Sequence, residues 1–417
     1  MEHISISKSI LLACFALNAW PQGGPQWSNK IIIFDAPGAG TKGGQGTIPN
    51  GINSEGLITG WYVDGNNVSH GFVRDPWGEI ATFDVPGAGT SSGQGTQAIG
   101  MNTQGVITGW YVDGDNIHHG FLRDRWGSII VFDDPSADIS AGQGTYPVNI
   151  NPGGTISGGY DANGASHVFL RAPDGKFTTF DVPTAGTSAG QGTLTAEFYG
   201  LTPAGVITGW YVDSNNVTHS YVREPNGKFT TFDAPGAGSS PYQGTYAFGL
   251  NPEGEVTGTY WDASFMPHGF LRAPNGKITS FDAPGAAEGT FIINSNSEGA
   301  ITGFYYDATG LAHSFTRTPD GEVMEFDVPG ASQGTYAAGN NLAGAIAGYY
   351  VDRNGSSHGF LRMPQGNETN ATLPPGSSGP PTGIKVGRRD GQFSRSRHSL
   401  KTACDEPPRR LNELSML

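Results

Sequence analysis

The stretch VITGWYVDGDNIHHGFLRDRWGSIIVFD, residues 106–133, contains a pattern of polar residues that recurs along the chain. The pattern is an Asp, five residues, a His, three residues, an Arg, nine residues and a second Asp. Its first two copies are Asp64, His70, Arg74, Asp84 and Asp113, His119, Arg123, Asp133. Five further copies contain His167, His219, His268, His313 and His358, and the seventh lacks the final Asp. A spare Phe34-Asp35 precedes the first copy, so the seventh unit reads as one that is split between the two ends of the repeat region.

The spacing and strand content of the repeat predict an all-β fold, a seven-bladed β-propeller of four-stranded blades. Successive histidines of the pattern are 49, 48, 52, 49, 45 and 45 residues apart, which is within the range of four-stranded propeller blades. Short apolar runs separated by Gly, Asn and Asp predict strands joined by tight turns. We expect residues 30–36 to complete the last blade, since a shared blade pairs the strand edges at both ends. A six-bladed ring with frayed halves and an open solenoid are the alternatives.

The composition favours a β-rich protein with an acidic surface. Gly accounts for 65 of the 417 residues and charged residues for 14%, which favours many tight turns over long helices. The formal net charge is −14, so nucleic acid and anionic membranes are not expected partners. The two cysteines, Cys14 and Cys404, lie outside the repeats, and the expected core is large enough to fold without disulfides.

Three segments follow from the limits of the repeats. Residues 1–29 are interpreted as a leader, residues 30–363 as the propeller and residues 364–417 as a tail. In the leader, Lys8 precedes a short apolar run, which is typical of an export signal; lipidation at Cys14 and a cytoplasmic chain are the alternatives. The tail is rich in Pro, Gly and Ser and then in Arg, which predicts disorder. No segment is long and apolar enough to span a bilayer. The apolar run after Lys8 leads us to expect a secreted, extracellular or periplasmic protein.

The repeated polar residues are interpreted as a structural network. If the second and third strands pair around a short turn, Asp64 can lie opposite His70. Pairing of the third and fourth strands around Trp77 places His70 opposite Asp84. Such an Asp–His–Asp line would satisfy buried polar groups and hold the strand register. We expect Arg74 and its equivalents to support a carboxylate or carbonyl group. Metal sites need three or four convergent ligands, so no metal is predicted at these residues.

Two further series of residues are candidates for ligand binding. Loops on a rigid frame carry much of the binding in proteins, and aromatic side chains beside them can stack on sugar rings. The candidate ligand residues are Trp61, Trp110, Trp210, Gln45, Gln94, Gln143 and Gln191. The alternatives are packing between blades for the tryptophans and turn chemistry for the Gly-Gln-Gly-Thr loops. Calcium at turns such as Asp64-Gly65-Asn66 is a further alternative, although these residues alone fall short of a coordination set; no other cofactor is predicted.

The recurring His-Gly-Phe-Leu-Arg, at His119–Arg123, His268–Arg272 and His358–Arg362, resembles the bacterial extracellular repeats of the HAF (His-Ala-Phe) family. The resemblance covers residues 30–363 and depends on recurrence, because the motif is short. This chain departs from the motif by having Gly in the middle position of these copies. Other copies have Val168, Ser220 and Ser314 at that position. The resemblance implies a secreted β-propeller and implies no particular activity or catalytic residue.

Together these features predict an exported, monomeric binding or scaffold module that recognises an extracellular glycan or a protein partner. A polysaccharide lyase or glycosidase with acidic residues at the channel mouth, and a purely structural envelope protein, are the alternatives. No residue is assigned a catalytic role. Asymmetry distinguishes a binding ring from an enzyme, since a ring can bind through equivalent blades whereas an enzyme needs one irregular site. The main irregularities are the unit around Tyr160 and Asp161 and the loops near Glu288 and Gln333.

Overall fold

The computed structural model describes residues 27–196 and 199–364, which contain 28 β-strands and no helix. Apart from β1 (Trp27–Phe34), the strands follow one another as repeated antiparallel units. The first strands of the units are β2 (Gly46–Ile52), β6 (Gly95–Met101), β10 (Thr145–Ile150), β14 (Gly192–Thr195), β18 (Gly244–Leu250), β22 (Thr290–Ser295) and β26 (Gly334–Asn340). The second strands are β3 (Ile58–Val63), β7 (Ile107–Val112), β11 (Ile156–Ala162), β15 (Ile207–Val212), β19 (Val256–Trp261), β23 (Ile301–Tyr306) and β27 (Ile346–Val351).

The third and fourth strands complete these units, which we number in chain order from the unit that begins at β2. The third strands are β4 (Ser69–Arg74), β8 (His118–Arg123), β12 (Ala165–Arg171), β16 (Thr218–Arg223), β20 (Pro267–Arg272), β24 (Ala312–Arg317) and β28 (Ser357–Pro364). The fourth strands are β5 (Ile80–Phe83), β9 (Ile129–Phe132), β13 (Phe177–Phe180), β17 (Phe229–Phe232), β21 (Ile278–Phe281) and β25 (Val323–Phe326). Each unit is thus a short meander of the kind that the alternating apolar runs and Gly-rich turns predict.

The unit that begins at β26 takes its fourth strand from the other end of the described chain. Strand β1 pairs antiparallel with β28, with Ile31 opposite Arg362 and Phe34 opposite Gly359. The predicted closing strand, residues 30–36, overlaps β1. Residues 30–34 lie in this strand, which begins at Trp27, and residues 35 and 36 follow it. The edge of β28 is covered by this pairing instead of being open to another strand.

Five parallel bridges join a third strand to the first strand of another unit; the first strands of units 6 and 7, β22 and β26, have no such bridge in the described residues. Ser69 bridges Gly95 in this way, and Ser357 bridges Gly46. Gly95 has a φ of +111°, and a Cβ atom there would lie 2.1 Å from the carbonyl oxygen of Ser69. Only glycine allows the two backbones to approach this closely, which explains the Gly that ends the five bridged connectors.

The core between units contains an arginine stacked on a phenylalanine of the preceding unit. The Arg74 guanidinium lies 5.0 Å from the ring centre of Phe34, and that of Arg123 lies 4.8 Å from Phe83. The same contact joins Arg171 to Phe132, Arg223 to Phe180, Arg272 to Phe232, Arg317 to Phe281 and Arg362 to Phe326. Burial lowers the pKa of these arginines, that of Arg362 to about 10.

Arginine in the repeat therefore has a packing role that the spacing alone does not reveal. Arg74 Nη1 also donates a hydrogen bond of 3.0 Å to the carbonyl oxygen of Asp75, so the expected support of a carbonyl is present. In each pair the phenylalanine belongs to a different unit from the arginine and lies more than thirty residues before it in the sequence. Cation–π contacts of this kind are stronger when the cation is removed from water.

The predicted leader and tail lie almost wholly outside the described residues. Their predicted roles, export and disorder, therefore stay predictions. Within residues 27–196 and 199–364 we find no helix that is long and apolar enough to cross a membrane.

Candidate functional site

The Asp–His–Asp residues form a repeated contact along the third strands, except in unit 3, where His167 contacts Asp181 alone. His70 Nδ1 lies 2.8 Å from Asp84 Oδ1, and His70 Nε2 lies 3.8 Å from Asp64 Oδ2. The predicted register of the second and third strands is wrong, because His70 lies opposite Tyr62 and Asp64 lies beyond the end of the strand. The Tyr62 and His70 rings stack with their centres 4.9 Å apart. His358 makes the corresponding contact with Asp35, at 3.0 Å.

The carboxylates of this series are used by the fold. Asp64 Oδ1 accepts hydrogen bonds from the backbone N–H groups of Asn66 and Val68 and so closes the turn between the second and third strands. These hydrogen bonds, with the nearby His70, hold the pKa of Asp64 below its usual value although burial opposes them. In the part of the chain that the structure describes, no group of three or more His, Cys, Asp or Glu side chains is arranged to hold a metal ion.

The four candidate glutamines lie where the connector between units meets the neighbouring turn. Gln94 is 5% exposed; its Oε1 accepts from the Ser91 N–H and its Nε2 donates to Asn116 Oδ1 at 3.0 Å. Gln45 and Gln191 are equally buried and bond to equivalent asparagines. Gln143 is partly exposed and donates to the Gly142 carbonyl at 3.5 Å. Three of the four amides are thus occupied by the connector itself, which is the turn chemistry that was the alternative to ligand binding.

The three candidate tryptophans do not form one surface. Trp61 and Trp110 are partly buried against a small apolar cluster that contains Ile99. Trp210 is 8% exposed and packs on Tyr246. Packing therefore accounts for most of the area of these side chains.

One place on the connector end departs from the repeat, and we call His118, Tyr146 and Asp161 the His118 cluster. The Tyr146 hydroxyl lies 3.4 Å from His118 Nδ1 and donates to the Gly142 carbonyl oxygen at 3.0 Å. The His118 and Tyr146 ring centres are 4.8 Å apart. The Ser166 hydroxyl donates to Asp161 Oδ1 at 3.2 Å. All three residues of the cluster are partly buried.

Part of the cluster arises because unit 3 differs from the other units at two positions of its second strand, Gly159 and Asp161. Asp161 donates its N–H to the Gly144 carbonyl oxygen, so it stands where Val63 and Val112 stand in units 1 and 2. Gly159, two residues earlier, replaces the tryptophan of those units. Asp161 thus places a carboxylate where units 1 and 2 have a valine, and Gly159 leaves out the indole that those units have nearby.

His118 and Trp110 come to the same place from the preceding unit. His118 begins β8, where β4, β12 and β28 have small residues before their conserved histidine. Its N–H donates to the Gln143 carbonyl oxygen at 2.9 Å. The Trp110 ring meets the Tyr146 ring edge-on, 5.9 Å between centres. Trp110 is therefore the one candidate tryptophan with a ring contact to the cluster.

Burial is the largest influence on the pKa of each member of the cluster. It raises the pKa of Asp161, and the nearby Tyr146 hydroxyl and the hydrogen bond from Ser166 only partly offset this effect. Burial lowers the pKa of His118, and the neighbouring His119 lowers it further. The pKa of Tyr146 is raised by burial and by the charge of Asp161. Both Asp161 and His118 are therefore shifted towards their uncharged forms, as is frequent at functional sites.

A second carboxylate lies beside the cluster. Asp138 Oδ2 accepts a hydrogen bond of 2.8 Å from the Asn163 N–H, and the Asp138 N–H donates to the Asp161 carbonyl oxygen at 2.8 Å. The charge of Asp138 contributes to the raised pKa of Asp161. The cluster therefore combines an imidazole, a phenol and two carboxyl groups.

The space between the first strands has both polar and apolar walls and is crossed by one side chain. A cavity of about 240 Å³ at the end away from the connectors is lined by Asn53, Asn102 and equivalent asparagines. Tyr199, with a φ of +60°, belongs to a three-residue insertion in unit 4. Its hydroxyl would lie 2.8 Å from a Cβ atom at Gly51 and 2.7 Å from one at Gly339. Burial raises the pKa of Tyr199 to about 12.

Similarity to solved structures supports a β-propeller-like fold. The sequence matches no protein-family model and no curated protein sequence. The structure is similar to virginiamycin B lyase from Staphylococcus aureus, with a TM-score of 0.52 and 15% identity over 80% of this chain and 99% of that one. It is also similar to a streptogramin B lyase, with a TM-score of 0.51 and 17% identity over 80% of this chain and 97% of that one. At this identity the likeness shows the fold alone, and the chain has a β-propeller-like fold.

Proposed function

We propose that the four-stranded units form a closed, seven-bladed propeller. Three contacts between the ends of the repeat region support this proposal. Strand β1 pairs with β28, and Ser357 bridges Gly46. Asn341 Nδ2 donates to the Asn53 carbonyl oxygen at 3.1 Å. Asn53 Nδ2 donates in the same way to the Asn102 carbonyl oxygen of the next unit. The junction of the two chain ends would then contain the parallel bridge and the asparagine bond that units 1 and 2 share.

We propose that this propeller is a binding module whose ligand, a glycan, occupies the His118 cluster. The observation that carries the proposal is that His118 and Asp161 replace small or apolar residues of the repeat without serving the turn and strand bonds that repeated polar residues serve. Tyr146 and Trp110 supply aromatic faces, and Asp161 and His118 supply hydrogen-bonding groups. This combination of apolar walls with a few convergent polar groups is typical of small-ligand sites.

The test uses substitutions that return the site to the sequence of other units. Asp161→Val and His118→Ser introduce the residues found in unit 1, so we expect the folded state to be kept. Binding of the full chain to a glycan array should be lost in both variants, and Thr108→Ser in a buried strand serves as a control that should bind as the wild type does. Undiminished binding in Asp161→Val would contradict the proposed location.

A second candidate function is acid–base catalysis on a polysaccharide. The opposite pKa shifts of Asp161 and His118 favour this candidate, since a general acid and a general base both work best when their pKa values lie near the working pH. The raised pKa of Asp161 suits a proton donor, and the lowered pKa of His118 suits a proton acceptor. The neighbouring Asp138 raises the pKa of Asp161 further.

The two candidates give different results on incubation with polysaccharides. A glycosidase produces new reducing ends, a lyase produces new double bonds, and a binding module leaves chain length unchanged. Loss of product formation in Asp161→Asn, with binding retained, would establish the catalytic candidate. Unchanged chain length for every polysaccharide bound would exclude it.

Export and membership of the HAF-repeat group complete the proposal. The apolar run after Lys8 and the recurring His-Gly-Phe-Leu-Arg support them. An N-terminal sequence determined on the protein recovered from the culture medium or periplasm would test both the export and the limit of the leader.

A further inference from the structure

We propose that Trp77 and Trp126 form a second binding surface, which holds a neutral polysaccharide at the end of the units opposite to the His118 cluster. Their side chains are 72% and 83% exposed. Both stand in the turn between the third and fourth strands, in consecutive units. This surface is independent of the proposed function, because it shares no residue with the His118 cluster.

The position of the turns separates the two surfaces. The third strand of unit 1 begins at Ser69, whose N–H bonds to the connector at Gln94, and it ends at Arg74 next to the turn of Trp77. Six strand residues rise by about 20 Å. A ligand on the tryptophan turns and a ligand on the connectors would therefore contact opposite ends of the same strands.

The turns do not need the indoles for their own structure. Asp75 Oδ1 accepts from the N–H groups of Trp77 and Glu79 and closes the turn. In unit 3 the residue at the position of Trp77 is Asp174, which closes its turn through the Lys176 N–H. A polar residue is thus sufficient there, and an indole largely exposed to water contributes little to folding.

The repetition of the feature indicates a repeating ligand. Two indoles at the same position of adjacent units repeat a flat, electron-rich ring one repeat apart. The Arg125 guanidinium lies 5.8 Å from the ring centre of Trp126, on one face of that indole, so the other face is the one offered to a ligand. Pyranose rings stack on such faces through their C–H groups, and a polysaccharide offers one ring after another. Two isolated indoles among polar residues lack the continuous apolar centre that a protein interface usually has. The acidic charge of the chain disfavours a polyanion, which leaves a neutral polysaccharide.

The test is a titration of the full chain with neutral hexasaccharides of glucose, mannose, xylose and N-acetylglucosamine, followed by tryptophan fluorescence and calorimetry. We expect one of these to bind, with affinity at least ten-fold lower in Trp77→Ala or Trp126→Ala and no measurable binding in the double variant. A disaccharide, which offers far fewer rings than the hexasaccharide, should bind at least ten-fold more weakly if both indoles hold one chain. Ile139→Ala, at a side chain 80% exposed on a connector, is the matched control and should bind normally.

Three results would overturn the inference. One is that no neutral hexasaccharide binds, another is that binding is unchanged in the double variant, and the third is that the tryptophans mediate self-association, seen as a dimer that the double variant lacks. His118→Ser should leave this binding intact, so failure here and failure of the proposed function are distinguishable. The thermal unfolding temperature of the double variant should remain that of the wild type, which shows that lost binding is not lost folding.

Discussion

Replacing Phe34 by alanine should destabilise the protein as much as the same change at Phe83, if the ring is closed by β1. Phe34 meets Phe72 edge-on with ring centres 6.3 Å apart and lies under the Arg74 guanidinium. Phe83 makes the same contacts one unit later, with ring centres 6.0 Å apart from Phe121. The two substitutions therefore remove matched interactions, one at the junction of the chain ends and one within continuous chain.

The magnitude follows from three contributions. Transfer of a half-buried phenyl ring to water costs about 1–1.5 kcal/mol. The edge-on aromatic pair contributes about 0.5–1.5 kcal/mol, and the cation–π contact about 0.5–1 kcal/mol. Phe34→Ala and Phe83→Ala should each lower the free energy of unfolding by about 2–4 kcal/mol.

Urea denaturation of the full chain, followed by tryptophan fluorescence, measures both variants. Equal slopes of the free energy against urea concentration are required before the midpoints are compared. A loss of about 2–4 kcal/mol in Phe83→Ala with none in Phe34→Ala would refute the closure, because it would mean that β1 detaches before the units unfold.

Three further predictions concern the repeated elements. Gly95→Ala should cost at least about 3 kcal/mol in thermal unfolding, since it combines strain at positive φ with a backbone clash, whereas Gly93→Ala, which meets open space, should cost about 1–2 kcal/mol. Gln94→Ala should cost about 1–3 kcal/mol and increase amide exchange in its connector. The hydrogen bond and charge of Asp233 raise the pKa of His219 although burial opposes them. The stabilisation from His219 is therefore complete below the unfolded pKa of about 6.5 and is lost as pH rises through the folded value. The difference in urea midpoint between wild type and His219→Gln should shrink over that range.

The strand pattern could be predicted from the sequence because each unit repeats the same turn residues at the same spacing. The pairing of the third and fourth strands followed from the distance between His70 and Asp84, whose midpoint is the turn at Trp77. The pairing of the second and third strands was predicted two residues out of register, because His70 lies opposite Tyr62 instead of Asp64. The cause is that Asp64 closes the turn through its own side chain, so the strand ends before it. Spacing alone does not distinguish a residue in a strand from one in the turn.

The candidate site was harder to predict, because the analysis of repeats favours what recurs. Gln94 and Trp210 both belong to recurring series. Gln94 makes the hydrogen bonds of its connector, and Trp210 packs on Tyr246. Asp161 was noted as irregular, but His118 and Tyr146 were missed. A comparison of units position by position could have found His118, since no other unit has a second histidine directly before the histidine of the repeated pattern. The meeting of His118 with Tyr146 depends on the contact between two units, which a single sequence does not state.

The repeated residues of this protein leave little polar capacity for a ligand. Asp64 bonds to its turn, His70 to Asp84, and Gln94 to the neighbouring turn, and the same bonds recur in the other units. A ligand that used these groups would have to replace bonds that hold the fold, at a cost of about 1–3 kcal/mol for each buried group left without a partner. Residues that depart from the repeat carry no such cost, because the fold is complete without them. His118 and Asp161 at one end, and the exposed indoles at the other, are departures of this kind. Returning each of them to the residue of a regular unit should therefore remove binding while it preserves stability, which separates function from folding in this chain.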